Sequence, residues 1–308
     1  PRALIRSNWI GYSKTADALS DAAWRAIMKG VDSVWFWMWD GMGTFRGYLS
    51  PTLDYWPATA ELTEEMRPVR RGLGDLLLRS TMSHSGIAVF YSVPSAICEQ
   101  VHPGSEFIAP QTTHETWTGL TYELGLDVRY LTSAMLTRGM LDPREFKVLL
   151  LPMSQAIGPE EAEAIRRFVQ AGGTAIADVR PGIYNAHGKP VSPGPLDDLF
   201  GIRRTGSSKA VLSPVSVQGS LEGRALDVHF DQAAVDPDVR PATAQALAKA
   251  GNTPLVLVNR VGNGRAVLLN FQVPRPTGTE PDPKAAAARR LLGCLYQNGG
   301  AKAAVSIS

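Results

Sequence analysis

Residues 146–177 read FKVLLLPMSQAIGPEEAEAIRRFVQAGGTAIA, and this stretch decides the fold class of the chain. Residues 148–151 and 174–177 are short, almost entirely apolar runs, which is typical of parallel strands covered on both faces. Between them, Gly-Pro-Glu-Glu at 158–161 predicts the start of a helix, and Gly172-Gly173 predicts its end. The apolar stripe of this helix is formed by Ile165, Phe168 and Val169. The stretch therefore predicts a strand–helix–strand unit of a parallel sheet.

Two further apolar runs, at 87–91 and 128–131, precede this unit and have the same character. Because strand–helix–strand crossovers within one sheet are right-handed, the predicted strands assemble with helices on both faces. The predicted fold class is therefore α/β, with a doubly wound, flavodoxin-like domain. This predicted topology resembles that of class I glutamine amidotransferases.

The last third of the chain carries weaker signals. Residues 203–250 show no clear period, and we expect an irregular or β-rich insertion there. Residues 255–259 and 266–271, joined by Val-Gly-Asn-Gly at 261–264, predict a terminal hairpin. The Ala- and Leu-rich segment 284–297 predicts a final helix that covers one face of the sheet.

The first part of the chain has a different composition, because six of the seven tryptophans lie within its first 56 residues. It predicts a strand near 2–7, a helix that begins near Ser20 and ends near Gly30, and a strand at 33–39. A second helix is predicted with Thr63 as its N-cap. This β-α-β-α order favours the last two units of a (β/α)8 barrel.

We therefore expect two domains, barrel units over 1–82 and the flavodoxin-like domain over 83–308. The sequence begins at Pro1, without an initiator Met, and reads at once as strand interior. This favours a piece of a longer protein. Localisation stays open between cytoplasmic and secreted, because a signal peptide would lie on an earlier segment.

Composition excludes several classes of protein. A chain with 44% hydrophobic and 19% charged residues is globular, and a net charge of +2 without basic runs argues against nucleic acid as a partner. No apolar run reaches about 18 residues, so we expect a soluble protein without a membrane span. Cys98 and Cys294 match no metal spacing and are expected to be buried, and His114 lacks a second histidine one turn later. We predict neither a metal nor a cofactor.

The candidate substrate-binding residues are Trp37, Trp39 and Asp40. Active sites of (β/α)8 barrels lie at the carboxyl ends of the strands, where these residues are predicted. Flat aromatic side chains stack against sugar rings, and a carboxylate beside them accepts hydrogen bonds from hydroxyl groups. The alternative interpretation is that alternate tryptophans, Trp35 above all, pack between barrel and helices.

The second domain shows no motif for chemistry of its own. The segment after its first strand, Ser92-Val93-Pro94-Ser95, lacks the glycines of a phosphate-binding loop, and no Gly-x-Cys/Ser-x-Gly elbow follows any strand. We therefore expect this domain to serve a structural or assembly role.

The order of several segments resembles glycoside hydrolase family 42, the β-galactosidases whose catalytic barrel is followed by a flavodoxin-like trimerisation domain. The region from Trp24 to Trp37 is similar to the end of the family's barrel. The segments that carry the resemblance in the second domain are YELGLDV at 122–128, FKVLLLP at 146–152, IRRFVQAGGT at 165–174, RPG at 180–182, PLDDLFGI at 195–202 and VGNGRAV at 261–267. In the last segment, Asn263 replaces a lysine of the family pattern.

The resemblance implies retaining hydrolysis of β-galactosides by two carboxylic acids, an acid/base and a nucleophile, about 5 Å apart. The strand that bears the acid/base is absent from these 308 residues. Alignment of Asn8-Trp9-Ile10-Gly11 with the family's Glu-x-x-Gly segment puts Asn8 at the nucleophile position. An amide cannot form the glycosyl ester. Equally, the nucleophilic glutamate can precede Pro1.

Two functions remain open. In the first, the chain is part of a β-galactosidase-like glycoside hydrolase acting on a β-galactoside or related sugar, inactive by itself, whose larger domain forms a homo-oligomer, with a trimer implied by the resemblance. In the second, it is a non-catalytic carbohydrate-binding or assembly protein with a degenerate barrel. The residues before Pro1 would separate these two functions.

Overall fold

The computed structural model describes residues 7–13, 15–28, 31, 33–41, 46–80, 84–101, 110–206, 209–221, 223–277 and 282–303, without the side chains of 7–9 and 99–101. The chain divides into two compact units, Pro1–Ser83 and His84–Ser308. We refer to them as unit 1 and unit 2.

Unit 1 contains a parallel strand–helix–strand arrangement. Strand β1 (Ser7–Gly11) is followed by helix α1 (Ala16–Met28) and strand β2 (Ser33–Trp37). The two strands pair in parallel, from Ser7 opposite Ser33 to Gly11 opposite Trp37. Helix α2 (Pro57–Glu65), a π-helical turn (Val69–Leu73) and helix α3 (Gly74–Arg79) complete the unit. Its core is formed by Ile10, Leu19, Ala23, Tyr48, Ala58 and Leu62.

Several predicted element boundaries in unit 1 are wrong. The strand expected near 2–7 is β1, whose described part runs from Ser7 to Gly11, and residues 2–6 lie outside the described residues. Helix α1 begins at Ala16, because its buried stripe already includes Leu19, so Ser20 is not its N-cap. Gly30, the expected end of this helix, is also outside the description.

The second predicted helix start is also wrong. Helix α2 begins at Pro57, whose fixed φ suits the first helical turn. Thr63 lies in the last turn of this helix, where its hydroxyl donates a hydrogen bond of 2.9 Å to the carbonyl of Thr59. Strand β2 ends at Trp37, two residues earlier than predicted.

Unit 2 alternates strands and helices before a β-rich segment. Its elements are β3 (Ile87–Tyr91), α4 (Val93–Val101), α5 (Pro110–Glu123), β4 (Val128–Thr132), α6 (Ser133–Thr137), β5 (Val148–Leu151), α7 (Pro159–Gln170), β6 (Thr174–Ala177), β7 (Ile202–Arg204), β8 (Val211–Leu221), β9 (Arg224–Val235), β10 (Val239–Pro241), β11 (Gln245–Ala250), β12 (Thr253–Val261), β13 (Gly264–Leu269) and α8 (Pro283–Asn298). The predicted strands at 87–91, 148–151 and 174–177 are confirmed to the residue. The expected β insertion, the hairpin of β12 and β13 and the final helix are also confirmed.

A seven-stranded mixed sheet forms the centre of unit 2, in the order β11-β12-β13-β6-β5-β3-β4. Strands β4, β3, β5, β6 and β13 are parallel, whereas β11, β12 and β13 pair antiparallel. Numbered along the chain, the five parallel strands have the spatial order 2-1-3-4-5. The predicted α/β class is therefore correct.

The continuous apolar runs of the strands have a direct cause. Ile87 and Val89 contact one core, with Trp117 and Tyr296, while Ala88 and Phe90 contact another on the opposite face of the sheet. Successive side chains of a strand point to opposite faces, so a strand covered by helices on both faces needs apolar side chains at every position. The hairpin of β8 and β9 adds its buried residues, such as Val228, to the first core.

A strained turn follows β5. Met153 has φ of +42°, in the left-handed region that non-glycine residues rarely adopt. Its backbone N–H donates a hydrogen bond of 2.7 Å to Oδ1 of Asp178, at the carboxyl end of the neighbouring β6. Asp178 is fully buried, and its Oδ2 has no hydrogen-bond partner among the described residues. Burial raises the pKa of Asp178 well above its usual range, although the bond from Met153 acts in the opposite direction.

Asp178 should make the stability of unit 2 fall as the pH rises. In the unfolded chain this carboxyl ionises near pH 4, whereas in the folded chain it stays protonated to a higher pH. The contribution of Asp178 to the free energy of unfolding is complete below the pKa that its carboxyl has in the unfolded chain. It is lost as the pH rises through the pKa of the carboxyl in the folded chain, with a slope of up to about 1.4 kcal/mol per pH unit.

The test compares the wild type with Asp178→Asn by chemical denaturation between pH 4 and 9. Asparagine retains the acceptor for Met153 and cannot ionise, so the free energy of unfolding of the variant should lack this slope. Groups common to both chains cancel in the difference. Parallel stability curves would contradict the assignment.

Candidate functional site

The predicted sugar-binding residues lie at the carboxyl end of β2. Trp37 is the last residue of the strand, and Trp39 and Asp40 follow it directly. The side chains of Trp37 and Trp39 are 56% and 57% exposed, and Asp40 is also exposed. Trp35 is exposed to a similar extent, so packing within unit 1 does not cover it. The sugar-binding role of Trp37, Trp39 and Asp40 stays a prediction.

Tyr48 organises this end of β2. Its ring is buried and meets the rings of Phe36 and Trp39 edge to face, with centroids 5.3 and 6.3 Å away. Its hydroxyl donates a hydrogen bond of 3.0 Å to the carbonyl of Ile10 in β1, and burial raises its pKa to about 12. The backbone N–H of Tyr48 also bonds to the carbonyl of Met38 at 2.9 Å. Tyr48 therefore connects β1 to the segment that bears Trp39.

Sequence reasoning missed Tyr48, because it lies in a loop without periodicity. Among the described residues of this loop, the neighbouring Gly47 is the one that could have indicated a close contact between chain segments. A Cβ atom at Gly47 would overlap the backbone of Trp39 and Asp40, so the close approach of these two segments requires glycine. On the other side, the hydroxyl of Thr59 donates to the Tyr48 carbonyl at 2.7 Å.

Asn8, the residue at the possible nucleophile position, is the second residue of the described β1. Its backbone lies opposite Val34, three residues before the strand end at Gly11. Its side chain is outside the description. The nucleophile assignment is therefore untested.

Unit 1 also carries an acidic groove of about 630 Å³ on its helices. The groove is lined by Trp24, Ala60, Glu61, Glu64, Glu65 and Pro68. The indole N–H of Trp24 donates to Oε1 of Glu65 at 3.0 Å. These carboxylates belong to α2, whereas the sugar-site candidates follow β2.

In unit 2, two serines form hydrogen bonds within the chain near the place where doubly wound sheets bind ligands. Such ligands lie at the carboxyl ends of the strands, at the point where strand order reverses, which is here between β3 and β5. The buried hydroxyl of Ser92 bonds to the carbonyl of Ala156 at 2.9 Å, and the N–H of Ala156 bonds to the hydroxyl of Ser95, also at 2.9 Å. The two serines that a phosphate-binding loop would use are thus engaged by the loop after β5.

A buried ionic network lies further along this loop region. The guanidinium of Arg204 donates to Asp197 at 3.0 Å and to Asp236 at 3.4 Å, and Arg180 also donates to Asp236 at 3.0 Å. Because each charge has a partner of opposite sign, the network fixes three loops to one another. Each of these four side chains has a partner of opposite charge, so none of the four is left unpaired for catalysis.

Cys98, Cys294 and His114 are the further residues that the sequence analysis singled out. Cys98 and Cys294 are both free and buried, as predicted. Across the described part of the chain, no group of three His, Cys, Asp or Glu side chains is placed to hold a metal ion. Among the described helices, none is both long and apolar enough to span a bilayer. His114 is buried against Tyr91 and Tyr130, and burial lowers its pKa to about 4.

These features describe an α/β domain, preceded in the chain by a parallel strand pair that ends in aromatic residues. The family described as "Beta-galactosidase trimerisation domain" matches residues 121–286. The chain belongs to this family of glycoside hydrolase family 42 domains, because the match spans more than half of its residues. The predicted family is thereby confirmed.

Solved structures of similar fold come from glycoside hydrolases. The β-galactosidase of Bacillus circulans sp. alkalophilus has a TM-score of 0.74 at 19% identity, over 96% of this chain and 43% of that one. Gan42B, a GH42 β-galactosidase from G. stearothermophilus, has a TM-score of 0.73 at 15% identity, over 99% of this chain and 45% of that one. The β-galactosidase of Rahnella sp. R3 has a TM-score of 0.71 at 18% identity, over 93% of this chain and 42% of that one. The chain therefore spans less than half the length of these enzymes. A search of curated protein sequences finds no match.

Removal of the Tyr48 hydroxyl should destabilise unit 1. In Tyr48→Phe, the buried carbonyl of Ile10 loses its donor, and we expect the free energy of unfolding to fall by about 1–2 kcal/mol. Tyr55→Phe is the matched control, because Tyr55 is exposed, and it should change stability by less than about 0.5 kcal/mol. Chemical denaturation followed by tryptophan fluorescence reports mainly on unit 1, which holds all tryptophans except Trp117. Equal effects of the two substitutions would contradict the role of Tyr48.

Proposed function

We propose that this chain is the C-terminal part of a β-galactosidase-like glycoside hydrolase. Unit 1 supplies the last two units of the catalytic barrel, and unit 2 is a flavodoxin-like domain that serves self-association. One observation carries the proposal: the trimerisation-domain match at 121–286 is preceded by a parallel strand–helix–strand unit, β1-α1-β2. The likeness to GH42 β-galactosidase structures extends over 96–99% of the chain in two cases.

The strand order supports a flavodoxin-like unit 2. The order 2-1-3-4-5 of its parallel strands is the flavodoxin order. The hydroxyl groups of Ser92 and Ser95 bond to Ala156, at the place where such a domain would hold a ligand. A domain of this kind, with its ligand position filled, suits assembly better than catalysis.

The arrangement of unit 1 supports terminal barrel units. In a (β/α)8 barrel, parallel neighbours are joined by a helix, and the active site lies at their carboxyl ends. Trp37 and Trp39 would stack against the apolar face of a sugar ring, and Asp40 would accept hydrogen bonds from its hydroxyl groups. The substrate we propose is a β-galactoside or a related sugar.

Asn8 favours a second candidate function. If the alignment that puts Asn8 at the nucleophile position is correct, the barrel lacks its carboxylate and the protein binds carbohydrate or assembles without catalysis. The alternative alignment, with the glutamate before Pro1, retains the enzyme. The sequence that precedes Pro1 separates them, since an Asn-Glu pair at the end of a fourth barrel strand would support the enzyme.

The 308-residue chain by itself should show no glycosidase turnover. Retaining hydrolysis needs a proton donor and a nucleophilic carboxylate on opposite sides of the anomeric carbon, and general acid catalysis alone contributes about 10²–10⁴-fold in rate. In the described part of unit 1, Asp40 is the carboxylate that directly follows a strand, whereas Glu61, Glu64 and Glu65 belong to α2. Two strands also cannot close a barrel.

An assay of the purified chain with an aryl β-galactoside tests this expectation. Asn8→Ala and Asp40→Ala are the controls for any activity that is detected. Turnover that co-purifies with the chain and disappears in either variant would overturn the proposed site.

Trp39 should report sugar binding in a protein that carries the complete barrel. We expect galactose to change the tryptophan fluorescence of this protein, and Trp39→Phe to reduce the change. Trp35→Phe is the matched control, because Trp35 has a similar exposure and lies within the strand. Identical saturating responses of wild type and Trp39→Phe would remove Trp39 from the site, and no response in any variant would favour the packing interpretation.

A further inference from the structure

Two exposed aromatic rings lie close together beyond the carboxyl end of β2. The rings of Trp39 and Tyr55, which we call the ring pair, have centroids 6.4 Å apart and planes tilted by 34°. Both residues are more than half exposed. Trp39 is the proposed contact of one sugar ring, whereas Tyr55 has no role in that site so far.

The backbone fixes the two rings relative to each other. The N–H of Leu49 donates a hydrogen bond of 2.8 Å to the carbonyl of Trp39, and Leu49 also forms an antiparallel bridge with Tyr55. Trp39 and Tyr55 are therefore attached to the same short segment. The buried ring of Tyr48 meets the Trp39 ring edge to face and supports the pair from the interior of unit 1.

The loop that leads from Leu49 back to Tyr55 is stabilised by its own polar groups. The N–H of Ser50 donates to the carbonyl of Asp54 at 2.8 Å, and the N–H of Asp54 donates to the hydroxyl of Ser50 at 3.1 Å. The hydroxyl of Thr52 donates to Oδ2 of Asp54 at 2.8 Å. A surface that is already fixed in its binding conformation loses little conformational entropy when a ligand binds.

The distance within the ring pair decides how a ligand lies on it. A sugar ring placed between two aromatic rings needs about 7–8 Å between their centroids, which is twice the contact distance of about 3.5–4.0 Å between carbon atoms. The centroids of Trp39 and Tyr55 are closer than that. A ligand therefore lies across the two rings and not between them.

The charged groups beside the ring pair suit a neutral ligand with many hydroxyl groups. Asp40 directly follows Trp39 and is exposed. Arg46 is also exposed, and it precedes Gly47, whose Cα lies against the backbone of Asp40. A hydroxyl group donates a hydrogen bond to a carboxylate and accepts one from a guanidinium, so charges of both signs serve a sugar. A charged ligand would be repelled by one of the two.

We infer that Tyr55 binds a second sugar ring beside the one that Trp39 contacts, so that the substrate is a β-linked disaccharide or a longer oligosaccharide. The inference rests on the proposed function, and it names the substrate class of that site. Tyr55 is then the residue that distinguishes such a substrate from a single galactose unit. Its aromatic ring supplies the contact by stacking against the apolar face of the second sugar.

The test titrates galactose and a thio-linked β-galactobiose into the protein that carries the complete barrel, by calorimetry. Sulfur in place of the glycosidic oxygen prevents hydrolysis during the titration. We expect the wild type to bind the disaccharide more tightly than galactose. Tyr55→Ala should raise the dissociation constant of the disaccharide about tenfold, the effect of one lost ring contact, and that of galactose less than about twofold.

Two further variants serve as controls. Tyr55→Phe retains the ring and should keep the affinity for the disaccharide. Leu76→Ala truncates an exposed apolar residue of α3 and should change neither affinity. Thermal unfolding of all three variants should stay close to that of the wild type, because the substituted side chains are exposed.

A loss of affinity that is confined to the disaccharide and to Tyr55→Ala supports the inference. Equal losses for both sugars, an unchanged affinity of Tyr55→Ala, or an equal loss in Tyr55→Phe or Leu76→Ala overturns it while the proposed sugar site stands. A wild type that binds both sugars equally well also overturns it. Failure of the wild type to bind either sugar overturns the proposed function as well.

Discussion

The burial of the central sheet on both faces is the constraint on which unit 2 depends. A parallel strand such as β5 has Val148 and Leu150 in one core and Leu149 and Leu151 in the other, so no position tolerates a polar side chain. The helices must then supply two apolar stripes, one for each face. Trp117 and Tyr296 fill the first core, and Phe146 and Phe168 fill the second. Several buried carboxyl groups lie instead in the loops of unit 2, among them Asp178, Asp197 and Asp236.

These buried carboxyl groups hold segments of the chain together. Asp178 supports the strained turn at Met153, and Arg204 joins Asp197 to Asp236. These groups occupy the end of the sheet at which related topologies bind ligands, and they stabilise loops instead. A buried ion pair is costly to break because the remaining charge loses its partner.

The fold of this chain is similar to that of β-galactosidases of known structure, although their sequences are only 15–19% identical to it. The physical requirement of the sheet is for apolar character at each strand position, and many side chains meet it. The proposed recognition of a sugar is different, because it would depend on a few side chains at one end of unit 1.

The sequence by itself determined the class and order of the elements in unit 2, since an apolar run between turn residues has few alternatives to a buried strand. The strands at 87–91, 148–151 and 174–177 follow directly from that pattern. In unit 1 the helices carry weaker patterns. Helix α1 begins at Ala16, ahead of the buried Leu19, and helix α2 begins at Pro57, whose fixed φ suits the first helical turn. Only the tertiary structure decided that Tyr48 joins β1 to the Trp39 segment and that the rings of Tyr91 and Tyr130 pack against His114. Contacts of this kind join residues from different elements, and local periodicity carries no information about which elements meet.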